Sequence, residues 1–371
     1  MKTVLAVFFG GRSAEADVSV LTAMQAMAAV DHAKYELVPV YMDGTWWTGD
    51  ELMDLGAFKP FNAGRHTPVA LVGKSLFSLR GRRAKKLVDL DAALICCHGA
   101  EGENGTLQGV LEMAGIPHTS SGVLESAICM NKARTKDALL SRKFKVLRGT
   151  EIRREEFVKN RVDAMSKIVK RQGFTAIVKP ASMGSSIGVR RVQNREELEE
   201  ALLLAFALDD TAIVEREVQN KVELNCAAIG YDGDVFVSAV ERPMQVDGVL
   251  TFEDKYLSGA KGESARQVPA DIDESLAAEV RETTRRLYTE LGLCGVVRVD
   301  YLMDQDKGVL LVNEINTVPG SLANYLFKPC GIDFSTLIDM AVSDAMQRAK
   351  THKKDFAEYR NGRLLSGSIC K

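Results

Sequence analysis

The chain has 371 residues, of which 46% are hydrophobic and 26% charged, with a formal net charge of −2. That length is generous for one simple domain and comfortable for two or three. A near-neutral balance lacks the basic excess of a nucleic-acid binder, and nothing in the composition suggests a membrane, so the expected class is an ordinary globular protein.

The N-terminal run Met1-Lys-Thr-Val-Leu-Ala-Val-Phe-Phe-Gly carries one positive charge but leads into Gly-Gly-Arg without a small-residue cleavage site. It reads as a buried first strand rather than a signal peptide. Thr3 to Phe9 is continuously apolar, as in a strand covered on both faces, and meets Gly10-Gly11-Arg12-Ser13-Ala14-Glu15 ahead of a helical pattern from about Asp17 to Ala29. Strand, glycine turn and helix start, with Ser13 as N-cap, make a ligand site of the Rossmann kind, although the full GxGxxG of a dinucleotide binder is missing. Glu15 stands at the mouth of that sheet, where a carboxylate can pair with a substrate amine. Read alone, it is more simply a helix-start acid favoured by the macrodipole.

Tyr35 to Tyr41 gives a second strand, Trp46-Trp47 follow a turn at Asp43-Gly44, and residues 48 to 86 read as irregular connections and edge strands. Ala92 to Cys97 is a further buried strand that delivers His98-Gly-Ala-Glu-Gly-Glu-Asn-Gly105-Thr into a helix from Leu107 to Ala114. Small residues in that loop let backbone amides approach a ligand, and a His at the carboxyl end of a parallel strand is a functional candidate. Seven cysteines, with Cys96-Cys97 inside an apolar run and no CxxC pair, read mostly as buried thiols of a reducing cytoplasm.

One helix from Glu125 to about Leu140 is expected to carry Lys132 and Lys136. A strand from Ile177 leads to Lys179-Pro-Ala-Ser-Met-Gly-Ser-Ser-Ile-Gly-Val189, whose small residues can fold over phosphates with Lys179 as a point charge. After a helix at Glu196 to Leu208 and a strand at Ala212 to Glu215, the acid-rich Glu215-Arg-Glu-Val218 and Glu223 suit an adenine hinge followed by a ribose acid. They suit an ordinary strand connection as well. Leu224 to Ile229 and Val235 to Val240 are strands around the hairpin Gly230-Tyr-Asp-Gly233. Phe252 to Ser264, with Lys255 and Tyr256, is long, polar and glycine-rich, as lids often are. Asp273 to Leu291 is an amphipathic helix and Phe334 to Ala349 the final one, followed by a polar tail.

Between those helices, Gly295 to Asp304 and Gly308 to Gly320 read as an antiparallel pair around the turn Asp304-Gln305-Asp306-Lys307. Asp300 lies on the first strand, Glu314 and Asn316 at the end of the second. Side chains two apart on a strand share a face, so three hard oxygen ligands converge, a set suited to Mg2+ completed by phosphate oxygens. A solvated strand end fits two acids and an Asn equally well.

In their order and spacing, seven segments resemble the ATP-grasp ligases, and within them the D-alanine:D-alanine ligase family, over residues 2 to 345. They are Gly10-Gly-Arg-Ser-Ala-Glu15, the His98 to Gly109 loop, Met130-Asn-Lys132, Val178 to Gly188, Lys255-Tyr-Leu-Ser258, Arg298-Val-Asp300 and Asn313 to Gly320. The resemblance implies an α/β fold with ATP-grasp architecture: an N-terminal parallel-sheet, Rossmann-like domain over 1–125, ATP-grasp subdomains over 126–218 and 219–350, and a tail over 351–371. It implies that Glu15 holds the ammonium of the first D-alanine, that His98 lies near its carboxylate, and that Lys255, Ser321 and Tyr325 serve the substrates. Lys132, Lys179, Ser185, Ser186, Glu215, Glu217, Val218 and Glu223 would bind ATP, with Glu223 on the ribose. Asp300, Glu314 and Asn316 would hold two Mg2+ ions, for which Mn2+ can substitute. Tyr256 would reach Ser185 and through it Glu15, and Arg298 with the Gly320 amide would stabilise the oxyanion.

The implied function is cytoplasmic D-alanyl-D-alanine synthesis for peptidoglycan precursors by a homodimer, with no nucleic-acid or membrane partner. Three departures stand out. Ala16-Asp17 replaces the family's usual His-Glu, Asn104 a usual Asp, and Tyr325 stands at the offset of a serine that binds the second substrate's carboxylate. Ser321, Lys328 or the Tyr325 hydroxyl are its possible replacements, so a sister ligase using D-serine, a hydroxy acid or another amine stays open, as does a silent nucleotide-binding regulator. Tyr256, where D-lactate users carry His, favours an amino-acid acceptor.

Overall fold

The computed structural model describes residues 2–244 and 266–359. Strand β1 (Thr3–Gly10) pairs in parallel with β2 (Tyr35–Met42) and β7 (Ala92–Ile95). Leu5 to Phe9 are wholly buried, as their uninterrupted apolar run requires. The sheet continues through β3 (Trp46–Thr48), β4 (Thr67–Val72), β5 (Ser75–Ser78) and β6 (Lys85–Asp89) in the order β6-β5-β4-β3-β2-β1-β7. Residues 48–86 thus hold antiparallel strands. The outermost, β6, is lysine-bearing and largely exposed, which discourages edge-to-edge pairing and also hides the strand from a hydrophobic pattern.

Helix α1 (Ala16–Ala29) starts at Glu15, not at Ser13; the Ser13 hydroxyl accepts the Glu15 N–H and donates to the His98 carbonyl at 2.8 Å. After α2 (Thr106–Ala114), the single helix expected from Glu125 to Leu140 is two, α3 (Val123–Met130) and α4 (Lys132–Ser141). Asn131 breaks them: its backbone is extended and its side chain accepts the N–H groups of Ala133 and Arg134, capping α4.

A second sheet, ordered β10-β9-β11-β8, is built from β8 (Gly149–Arg153), β9 (Ala176–Pro180), β10 (Arg190–Val192) and β11 (Thr211–Arg216). Helices α5 (Arg154–Lys159), α6 (Arg161–Gln172) and α7 (Arg195–Leu208) close a separate core around Phe157, Ile168, Val178 and Leu202. The third sheet comprises β12 (Lys221–Tyr231), β13 (Asp234–Val237), β16 (Val297–Asp304) and β17 (Val309–Asn316) in the order β13-β12-β16-β17, all antiparallel. The strand expected to reach Val240 stops at Val237, because the Ser238 hydroxyl takes the Ala227 N–H at 2.9 Å. A two-stranded ribbon, β14 (Arg242–Pro243) with β15 (Arg266–Gln267), stands beside it.

Period-two alternation on β12 explains the two layers around this sheet. Leu224, Cys226 and Ala228 face α8 (Glu274–Glu290), whereas Ala227 and Ile229 face α9 (Asn324–Phe327) and α10 (Phe334–Tyr359). Helix α10 runs past its expected end at Ala349 and ties the first sheet to the third through Lys34–Asp339 and Arg348 to the His118 carbonyl. Val318, Leu322, Ile338 and Val342 join the core of the N-terminal sheet. Cys96, Cys97, Cys129 and Cys226 are buried and Cys330 is exposed; none of the described cysteines is paired. No described helix is long and apolar enough to cross a membrane.

Candidate active site

A cavity of about 420 Å³ opens where the carboxyl end of the first sheet, the β9–β10 turn and the open face of the third sheet meet. Every described residue given a substrate, nucleotide, metal or oxyanion role by the resemblance, from Glu15 to Tyr325, lines it, whereas Lys328, a possible replacement for the acceptor-binding serine, is exposed and does not. Lys255 and Tyr256 lie outside the described residues.

Pairing of β16 with β17 sets Asp300 opposite Glu314 and Arg298 opposite Asn316. Asn316 Nδ2 donates to Asp300 at 3.1 Å, so the three expected ligands do share one face. Arg298, two residues before Asp300, also shares that face and forks onto the same carboxylate, Nε to Oδ1 at 2.6 Å and Nη2 to Oδ2 at 2.8 Å. Burial opposes the Arg298 charge, but Asp300 holds its pKa well above the ordinary value. Among the described residues no three His, Cys, Asp or Glu side chains form a metal cage. Two carboxylates and an amide are still hard oxygen donors, and they leave positions for phosphate oxygens and water as Mg2+ prefers.

The lysines are arranged by acids. Lys136 Nζ lies 2.6 Å from Glu215 Oε1, and Lys179 Nζ 2.7 Å from Oε2. Glu215 is 1% exposed. Burial alone would push its carboxyl up, yet Lys179 and Lys136 bring it down to about 2. The acid expected to face a nucleotide is thus engaged by two ammonium groups, and Lys136, to which the sequence attached no role, neutralises it from behind. Lys179 also reaches Asn313 Oδ1 at 3.3 Å, and Lys132 donates to the Met183 carbonyl at 2.5 Å while lying 3.9 Å from Glu314. Glu217 pairs with Arg191 and Glu223 with Lys221, both at 2.8 Å, and Val218 is buried between them in sequence.

Glu15, only 7% exposed, accepts a hydrogen bond from the Ser185 hydroxyl, which joins the first sheet to the β9–β10 turn. Ser185 and Ser186 both sit in the left-handed region, φ 49° and 60°. The fit leaves no room for a side chain: a Cβ on Gly184 would stand 2.5 Å from Glu15 Oε2, and one on Gly99 2.7 Å. Glu103, inside the quoted His98 loop but not singled out, accepts the Gly99 N–H at 2.9 Å and the Val318 N–H at 3.0 Å. Its dry surroundings, and then neighbouring Glu15, push its carboxyl well up.

His98 is a brace. Nδ1 lies 2.7 Å from the Val318 carbonyl, which can only accept, so Nδ1 carries the proton. Nε2, 2.7 Å from Thr22 Oγ1, is then the acceptor, and Thr22 in turn accepts the Ser321 N–H at 3.0 Å. Burial lowers the imidazole to about 4, the bond to Val318 offsetting only part of this, so the ring is neutral. Both nitrogens that were expected near a substrate carboxylate therefore have protein partners. The chain they form fixes the turn after Gly320, where Ser321, Leu322 and Ala323 all hold positive φ (51°, 47° and 47°). Tyr325 follows, its hydroxyl donating to Glu241 at 3.0 Å. Thr22, Glu103 and Glu241 lie 299, 215 and 84 residues from these partners, and no local pattern announces them.

Models of the D-ala D-ala ligase N-terminus and C-terminus match residues 4–121 and 142–343. A D-alanine–D-alanine ligase of Thermosipho melanesiensis is 35% identical over 361 residues, 94% of this chain and 95% of its own. The solved D-alanine-D-alanine ligase of Coxiella burnetii shares the fold with a TM-score of 0.81 at 24% identity, over 96% of this chain and 99% of its own. VanG D-Ala:D-Ser ligase of Enterococcus faecalis gives 0.79 at 27% identity, over 93% and 100%. With its ATP-grasp architecture matched along both halves, the chain belongs to the D-alanine–D-alanine ligase family.

Proposed function

We propose that this chain joins two D-alanines into D-alanyl-D-alanine at the expense of ATP, as a cytoplasmic homodimer supplying peptidoglycan precursors. The observation that carries the reading is the meeting, in one cavity, of a buried amine-seeking carboxylate (Glu15), two phosphate-seeking lysines (Lys132, Lys179) and a hard-oxygen cluster (Asp300, Glu314, Asn316). On this reading residues 1–125 hold the donor, 126–218 cover the nucleotide, and 219–350 carry the metal and oxyanion groups.

A carboxylate is a poor electrophile. Transfer of the γ-phosphoryl group from ATP to the donor carboxylate releases ADP and leaves an acyl phosphate. Glu15 holds the donor ammonium, steadied by Ser185. Lys132 and Lys179 face the phosphates, Ser186 belongs to the turn above them, and Glu217, Val218 and Glu223 border the nucleoside. Asp300, Glu314 and Asn316 would hold Mg2+, which when bound neutralises phosphate charge. The acceptor amine then attacks the acyl carbon, loses a proton and expels inorganic phosphate. Arg298 keeps Nη1 outside its fork to Asp300, and with the Gly320 amide it offsets the developing oxyanion.

Tyr325, at the acceptor end, favours a second reading in which the acceptor is another amino or hydroxy acid. ADP release with Mg2+, ATP and D-alanine, with mass detection of products, tests both. D-Alanyl-D-alanine supports the first; ADP release only after another acceptor is added supports the second; no ADP with any acceptor rejects ligase activity.

A further inference from the structure

At the Tyr325 end of the cavity, four side chains from separate elements form one cluster. Glu241 is 3% exposed and accepts Asn225 Nδ2 and the Tyr325 hydroxyl, each at 3.0 Å on Oε2. Arg266, from the β15 strand, brings Nε to 3.7 Å from the other oxygen and lays its guanidinium carbon 4.5 Å from the centre of the Tyr325 ring. The neighbouring cations are turned toward other carboxylates: Arg298 forks onto Asp300, and Lys179 pairs with Glu215. The Arg266 Nη nitrogens make no hydrogen bond among the described residues, and its side chain is 36% exposed at the cavity edge. A planar fork held by an aromatic face beneath and a carboxylate behind, with no hydrogen-bond partner for its outer nitrogens among the described residues, is a ready recogniser of another planar carboxylate.

We propose that Arg266, stacked on Tyr325 and braced by Glu241, binds the carboxylate of the acceptor and so restricts the second substrate to an acid. Resting on the ligase reading above, the proposal deepens it: the acceptor must carry a carboxylate next to its nucleophile, and Tyr325 acts as the platform for the guanidinium. Glu241 is a positioning residue, because its oxygens face protein donors.

The test compares the full-length wild type with Arg266→Met, which keeps the aliphatic stem and removes the fork, and Arg266→Lys, which keeps the charge alone. Dipeptide formation over a range of D-alanine concentrations separates a donor constant from an acceptor constant; D-alaninamide, whose carboxylate is masked, is the second acceptor. The expected result is an acceptor constant about tenfold or more higher in Arg266→Met, since a charge-assisted pair is lost. The preference for D-alanine over D-alaninamide shrinks by the same factor, the donor constant and the KM for ATP are unchanged, and the lysine variant is intermediate. An unchanged acceptor constant, or an undiminished preference against the amide, overturns the proposal. So does a parallel rise of all three constants, which marks a merely structural role. Failure of the wild type to couple two D-alanines while releasing ADP with another acceptor counts against the D-alanyl-D-alanine reading, and is seen before any variant is made.

Discussion

Replacing Thr22 by Val tests the hydrogen bonds that link His98 to the turn at Ser321. The substitution preserves shape but removes a hydroxyl that is 1% exposed, donates to His98 Nε2 and accepts from the Ser321 N–H. Two buried polar groups lose their partner, at about 1–3 kcal/mol each; because they share one atom, a combined cost of about 3 kcal/mol is expected. At roughly 2.1 cal/mol/K per residue of unfolding entropy, a chain of 371 residues has about 0.8 kcal/mol/K, so the melting temperature should fall by about 4 °C. The catalytic effect should be larger than that modest shift suggests. Ser321 opens the turn of three left-handed residues next to Gly320, and a displacement of about 1 Å at a reacting centre costs up to a hundredfold in rate. Differential scanning calorimetry and steady-state ADP release measure the two effects. Thr22→Ser, which restores the hydroxyl, should recover most of the rate. A Thr22→Val protein melting within 1 °C of wild type and turning over normally would mean that the relay from His98 through Thr22 to Ser321 is wrongly assigned.

Glu314→Gln should cut ADP formation by about a hundredfold or more while leaving the melting temperature within a few degrees, and near-normal turnover would reject Glu314 as a ligand. In Gly184→Ala the new methyl meets Glu15 at 2.5 Å, so the donor constant should rise at least about tenfold with little change in the KM for ATP; an unaltered donor constant would separate the turn from the donor site. Glu215, lowered from 4.5 to about 2, contributes stability that is complete above about pH 4.5 and disappears as pH falls towards 2. Its size is about 3 kcal/mol, visible as a falling melting temperature over that window, and Glu215→Gln should flatten that part of the curve. Lys136→Met, which leaves Glu215 with one cation, should destabilise at pH 7 by about 3 kcal/mol or more, and a neutral effect would show that the pair is dispensable.

The third sheet was legible because its pattern is local. Two apolar runs, a polar turn, and an acid and an amide two apart suffice to pair β16 with β17 and bring Asp300 to Glu314. The Arg298–Asp300 fork obeys the same period-two rule, and its signal was present in the sequence although only the three oxygen ligands were read together. Asn131 was likewise readable as a helix cap; two adjoining helical patterns concealed the break. By contrast, nothing near Thr22 in the sequence points to Ser321, and nothing near Glu103 to Val318. Such partners are set by how the sheets dock, a property of the folded chain that periodicity does not carry. Lys136 illustrates the intermediate case: its helix was foreseen, but a buried lysine is told from an exposed one only by the acid it meets, here on β11.

Because Val318, Leu322, Ile338 and Val342 complete the core of the first sheet, that sheet is finished by residues synthesised long after its strands. Some 220 residues separate position 121 from Val342, and at about 5–20 residues per second the ribosome needs roughly 10 to 45 s to supply them. For that interval the emerging sheet shows an apolar flank that its own helices leave uncovered, while the central unit, whose core lies wholly between Ile152 and Val214, can close as soon as it is released. The central unit can therefore mature before the first sheet does, and a chain cut short before α10 would leave the first sheet without Ile338 and Val342 in its core.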